Sequence, residues 1–161
     1  MKPITVGMAD LKVTDDPNGV LVTYALGSCM AVLVHDVVQR TAGMIHYMLP
    51  LSSITPEESQ KLPAMFADTG IPLLFRYMYS LGCNKSDLVV RLVGGASLCD
   101  SVGRLEIGKR NYAMARKLLL DSNVSVAAEA VGGAVSRTVR LFAGSGRATV
   151  LVGNERLELE L

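Results

Sequence analysis

Apolar and polar positions along this chain change period several times, and each change marks an element. Ile4 to Met8 is a short β-prone run, and Asp15-Asp16-Pro17-Asn18-Gly19 is a strong turn. Val20 to Ala25 predicts a second strand, followed by a bend at Gly27-Ser28. Met30 to His35 and Thr41 to Met48 are nearly continuous apolar runs joined by the polar segment Asp36 to Arg40, which reads as a hairpin turning near Val38. Leu51 to Pro63 is rich in Ser, Thr, Glu and Pro and predicts an exposed loop. Ile71, Leu74, Phe75, Met78 and Leu81 then recur at three- and four-residue spacing up to Gly82, the stripe of a core-facing helix with Asp68 or Thr69 at its cap or in its first turn. Leu88 to Val93 is a strand ending in Gly94-Gly95. Ile107-Gly108-Lys109-Arg110-Asn111 opens a second helix that runs through Leu120, with Met114, Leu118 and Leu119 inward. Val124 to Ala130 is the next strand, and Thr138 to Phe142, Ala148 to Val152 and Leu157 to Leu161 follow as short strands separated by glycine turns.

These elements amount to a single α/β domain over residues 1–161, in which a mixed, mostly antiparallel sheet carries two main helices. A length of 161 residues suits one domain with a substantial core. Hydrophobic residues make up 50% of the chain, which implies a sheet covered on both faces, a sizeable partner surface, or both.

Charge narrows the function classes. Sixteen Lys and Arg against fifteen Asp and Glu leave +1, with no basic block and 5% aromatic residues, so the footprint of a nucleic-acid binder is missing. Asp36, Gln39 and Arg40 interrupt the longest apolar run well short of the ~18–20 residues that span a bilayer, so no membrane insertion is expected. Met1-Lys2-Pro3 soon meets Asp10 and Lys12, unlike a signal peptide, and the expected location is cytoplasmic. Cysteines at 29, 83 and 99 form neither a disulfide framework nor a zinc pattern, and a reducing compartment keeps them as thiols.

The candidate chemistry lies at Cys29, just past the Gly27-Ser28 bend, with His46 seventeen residues on. An imidazole that takes the thiol proton makes cysteine a competent nucleophile. A hairpin near Val38 sets residues 29 and 46 in approximate cross-strand opposition. Peptide N–H groups at Gly27-Ser28-Cys29 can form an oxyanion hole, and Thr23 offers a hydroxyl or carbonyl to orient the imidazole. The alternatives are a buried inert thiol and a hydrogen-bonded core histidine. His35, beside Asp36 at a strand end, reads as a solvated turn residue; Cys83 and Cys99 read as structural thiols. No pair among Cys29, His35, His46 and Cys99 has customary metal-ligand spacing.

Taken together and in order, Thr23 to Met30, Ile45-His46-Tyr47-Met48-Leu49-Pro50, Phe66-Ala67-Asp68-Thr69, Gly94-Gly95-Ala96 and Ile107 to Asn111 resemble the bacterial chemoreceptor glutamine deamidase family, CheD. The resemblance implies an α/β sandwich similar to the catalytic domains of deamidating bacterial toxins. It implies a Cys, a His and a Thr as the active site, which by motif position are Cys29, His46 and Thr23. Gly27, Ser28, Gly94, Gly95 and Asn111 become the candidate oxyanion or substrate-binding positions. The implied reaction is hydrolysis of selected glutamines on methyl-accepting chemotaxis receptors to glutamate, with no metal or organic cofactor. The chemotaxis phosphatase CheC is an implied partner. The sequence departs from the family pattern at Ala130-Val131 and at Ala134 to Arg137, where Arg137 is the basic residue retained. That departure touches recognition surfaces rather than the three reacting residues.

Overall fold

Every residue from Met30 to Asp36 is buried, and so is every residue from Thr41 to Tyr47. Strands can be buried along their whole length only when both faces are covered. The computed structural model, which describes residues 1–97 and 106–153 and the backbone of 155–160, shows what covers them. In chain order the elements are β1 (Lys2–Thr5), β2 (Asp10–Thr14), β3 (Gly19–Leu26), β4 (Met30–Asp36), β5 (Thr41–Tyr47), α1 (Pro56–Lys61), α2 (Ala67–Ser80) and β6 (Leu88–Gly94). They continue with α3 (Ile107–Asp121), β7 (Val126–Val131), β8 (Arg137–Phe142), β9 (Ala148–Val152) and β10 (Glu155–Glu160).

The strands divide between two sheets, β1-β3-β8-β9-β10 and β2-β5-β4-β6-β7. Most pairings are antiparallel, with parallel contacts at β1–β3 and β6–β7. The expected mixed, mostly antiparallel α/β sandwich is therefore built from two sheets rather than one. Alternation along β4 and β5 creates two cores. Met30, Val32, Val34, Ile45 and Tyr47 face α2 and α3, where they meet Leu74, Met78, Ala115 and Leu119. Ala31, Leu33, Ala42 and Met44 face the other sheet and meet Leu21, Leu26, Val139, Leu141 and Val150.

One strand adds to those expected, and two local expectations are corrected. β2 occupies Asp10–Thr14, whose charged residues hid its strand character; as an edge strand it needs only one buried face. The segment expected as a loop over 51–63 holds α1 and short 3₁₀ turns, and Thr55-Pro56 with Glu57 and Glu58 is in hindsight a helix start. Leu81 lies past the end of α2 and is exposed, not core. Asp68 sits in the first turn of α2 and binds the backbone N–H and hydroxyl of Ser52 at 2.9 and 2.8 Å, so it ties down the loop instead of capping the helix.

Candidate active site

Parity places the three candidate side chains in one layer. Thr23 shares its inward face with Leu21, His46 shares its face with Ala42 and Met44, and Cys29 packs against the same inter-sheet core. Register places them at one end. His46 stands opposite both Ala31 and Asp10, and Met30 stands opposite Tyr47 and Gly94. The ends of β1, β3, β5, β6 and β7 and the starts of β2, β4 and β8 therefore surround the bend that carries Cys29. The cross-strand opposition of residues 29 and 46 is approximate, offset by two positions because the hairpin centre falls past Val38 and Ala31 faces His46.

His46 is 2% exposed and Thr23 fully buried, and their bond crosses from one sheet to the other. Thr23 Oγ1 lies 2.7 Å from the carbonyl oxygen of Val6 and 2.7 Å from His46 Nδ1. The carbonyl can only accept, so the single hydroxyl proton goes to Val6. The other contact must then be His46 Nδ1–H donating to Thr23 Oγ1. This leaves Nε2 unprotonated, and Nε2 is buried with no hydrogen-bond partner among the described residues. Burial lowers the His46 pKa from its ordinary 6.5, which keeps the ring neutral.

The bend at Gly27-Ser28-Cys29 is held by its carbonyls. Gly27 O accepts from Ala96 N at 2.8 Å, Ser28 O from Asn111 Nδ2 at 2.9 Å, and Cys29 O from Gly95 N at 2.9 Å. No peptide bond here is cis, so each N–H points opposite to the carbonyl before it. The amides of Ser28 and Cys29 are thus turned away from Ala96 and Asn111. Burial raises the Cys29 thiol pKa and its own backbone amide partly offsets this. Both shifts favour the uncharged forms, thiol and imidazole.

Gly94, Gly95 and Asn111, the further candidate oxyanion or substrate-binding positions, make their contacts with the Cys29 bend and the neighbouring strand ends. Gly94 has φ +115°, and a Cβ there would stand 2.3 Å from Cys29 O. Asn111 is fully buried; its Nδ2 also donates to Met48 O at 2.9 Å, and its own carbonyl accepts from Tyr47 Oη at 2.7 Å. One side chain thus joins the bend that carries Cys29 to the strand end after His46. Arg137, expected at the recognition surface, is mostly buried and donates to Gly132 O at 2.8 Å, while Gly132 N–H donates to Gly94 O at 2.9 Å. It braces a second loop behind Gly94.

His35 is not a solvated turn residue. It is buried at the opposite end of β4 from Met30, with Nε2 2.7 Å from Ala143 O. Cys83 is buried beside Asp36, its pKa pushed up to about 11 by burial and by the nearby carboxylate. Cys99 lies outside the described residues. Sequence reasoning missed the carbonyl of Val6, since a backbone acceptor leaves no mark in residue type.

Comparisons with known proteins bear on this geometry. The profile described as CheD chemotactic sensory transduction matches residues 48–151. A protein of Anaeromyxobacter dehalogenans named probable chemoreceptor glutamine deamidase CheD 2 is 50% identical over 96% of this chain and 98% of its own length. A protein of Solibacter usitatus named probable chemoreceptor glutamine deamidase CheD is 46% identical over 99% of this chain and 94% of its own, a span that takes in Thr23, Cys29 and His46. Among solved structures, Bacillus licheniformis hypothetical protein YfiH aligns at a TM-score of 0.48 and 18% identity over 75% of this chain and 49% of that one.

Proposed function

Since the chain belongs to the CheD family, we propose that it hydrolyses side-chain amides of specific glutamines on methyl-accepting chemotaxis receptors, using Cys29 as nucleophile and a thioester intermediate. The observation that carries this reading is the free Nε2 lone pair of His46, created by the Val6–Thr23–His46 relay and buried at the end where Cys29 enters β4. A thiol of raised pKa needs such a base, because little thiolate exists at neutral pH without one.

In the proposed cycle the Cys29 thiol gives its proton to His46 Nε2 as Sγ bonds to the carboxamide carbon. The oxyanion faces the outward N–H groups of Ser28 and Cys29, each such donor contributing about 3 kcal/mol to transition-state stabilisation. The C–N bond then breaks, the imidazolium proton leaves with ammonia, and a thioester remains. Water gives a proton to Nε2 and attacks the thioester carbon; the C–S bond breaks, and Sγ recovers the proton. Glutamate and ammonia are the products, and no metal or organic cofactor takes part. Thr23 and Asn111 act as positioning residues, the first on the imidazole and the second on the bend.

The reading puts the protein in the cytoplasm; no helix among the described residues is long and apolar enough to cross a membrane. A CheC-type phosphatase as second partner rests on family resemblance, and co-purification of the two proteins tests it. The main experiment is mass spectrometry of a purified receptor cytoplasmic fragment after incubation with wild type and with Cys29→Ala. Gln-to-Glu conversion by wild type alone is expected. Binding of the fragment without conversion by either protein would replace the enzyme by a receptor-binding module.

A further inference from the structure

α3 ends in a tight turn that builds one side of a cavity. Asn123 stands in the left-handed region at φ 53°, its N–H donates to Leu120 O at 3.0 Å, and Val124 N–H donates to Leu119 O at 2.8 Å. This is a Schellman turn, which sets the residue after it against the last turn of the helix. Val124 and Leu119 are that pair, and both line a cavity of about 250 Å³ between α2 and α3. From the α2 side, Phe75 and Tyr79 supply an aromatic wall, with ring centroids 6.2 Å apart and planes tilted by 52°.

The charge around this cavity has one sign. Arg76 and Lys85 line it, and among the described residues no Asp or Glu does. Lys85 Nζ donates to Ser122 O at 2.5 Å, which ties the ammonium to the end of α3 and leaves it further protons to donate. Arg76 is exposed and makes no ion pair among the described residues. A guanidinium fork matches the two oxygens of a carboxylate. The apolar lining rewards burial of an apolar body, and the aromatic wall favours a ring, since ring pairs attract beyond area burial. The volume limits that body, because it falls just below the ~300 Å³ at which small-molecule sites begin.

We propose that the cavity between α2 and α3 binds a small aromatic carboxylate, its ring among Phe75, Tyr79, Leu119 and Val124 and its carboxylate at Arg76 and Lys85. The site is separate from Cys29. Asn111, which holds the Cys29 bend, and Ser122 at the end of α3 lie about 16 Å apart along the helix axis. The proposal therefore stands apart from the deamidase reading, and its test needs no turnover.

Naphthoate is the probe, with acetate and naphthylmethylammonium as controls that keep only its charge or only its rings. Calorimetric titration of wild type is expected to show naphthoate binding about tenfold tighter or more than either control, the scale of a hydrogen bond to a charged group. Arg76→Glu changes an exposed side chain and is expected to erase that advantage and to favour the ammonium probe. Amide shifts on adding naphthoate should centre on residues 71–79 and 118–124, which line the cavity. Equal affinity for naphthoate and the ammonium probe, no naphthoate binding at millimolar concentration, or shifts centred elsewhere overturns the site. A helical peptide with one phenylalanine between glutamates is a further arm. If it shifts the same amides and naphthoate does not, the groove belongs to a protein partner and the small-ligand site is overturned. A dimer in sedimentation that Arg76→Glu dissolves assigns the groove to a second copy of the chain, with the same consequence.

Discussion

Thr23 has one hydroxyl proton, and its destination sets the state of His46. Val6 O takes the proton, so Nδ1 keeps its own and Nε2 remains a base. Thr23→Val preserves shape and removes the acceptor, which leaves Nδ1–H buried and unpaired at a cost of about 1–3 kcal/mol. A fall in kcat of about 10- to 100-fold with KM little changed is the expected result of steady-state kinetics. Because burial lowers the His46 pKa, the imidazole charges only below its ordinary 6.5. The acid limb of kcat/KM is therefore expected below pH 6.5, and a pH–rate profile checks it. Residue chemistry, the Gly27-Ser28 bend and the family resemblance pointed to Cys29, His46 and Thr23 as candidates. The tautomer needed the Val6 carbonyl, which only the pairing of β1 with β3 brings into reach.

At the scale of elements, the bend of Cys29 is supported from the end of β6 and from the second turn of α3. Gly94→Ala would set a Cβ against Cys29 O in a left-handed conformation. We expect a loss of about 3 kcal/mol or more in denaturant unfolding, together with loss of activity. Asn111→Ala strips donors from Ser28 O and Met48 O, at about 1–3 kcal/mol for each carbonyl left unpaired. Chemical denaturation measures that cost, and a drop in kcat larger than any rise in KM would mark Asn111 as a positioning residue. The main helices were legible in the sequence: α2 ends at Ser80, one residue short of the Leu81 its stripe includes, and α3 starts at Ile107. Their task was not, because a glycine needed for close approach and one needed for a turn look alike in sequence.

Across the whole molecule, His35 marks the end opposite the active site. Burial lowers its pKa below 6.5; the bond to Ala143 O and the charge of Asp36 partly offset this, and Arg91 adds to it. A lowered folded pKa means that the unfolded chain takes up the proton first as pH falls. Stability is then complete above about pH 6.5 and lost as pH drops from there through the lowered folded value, and His46 contributes in the same direction. Unfolding midpoints measured from pH 8 to pH 5 should fall below about 6.5, and His35→Gln should flatten part of that slope.

By itself the sequence determined where most strands and the two main helices lie, because side-chain period and turn residues are local properties. It also marked the candidate side chains, since thiol, imidazole and hydroxyl chemistry belongs to residue type. Only the tertiary structure decided that the strands form two sheets, that β4 and β5 form the middle layer, and that Asn111 and Arg137 support loops from within. These outcomes depend on register and on contacts between residues far apart in the chain. Thr23 and His46 meet across two sheets because each strand's alternation was already set and packing of the sheets brought the two inward faces together.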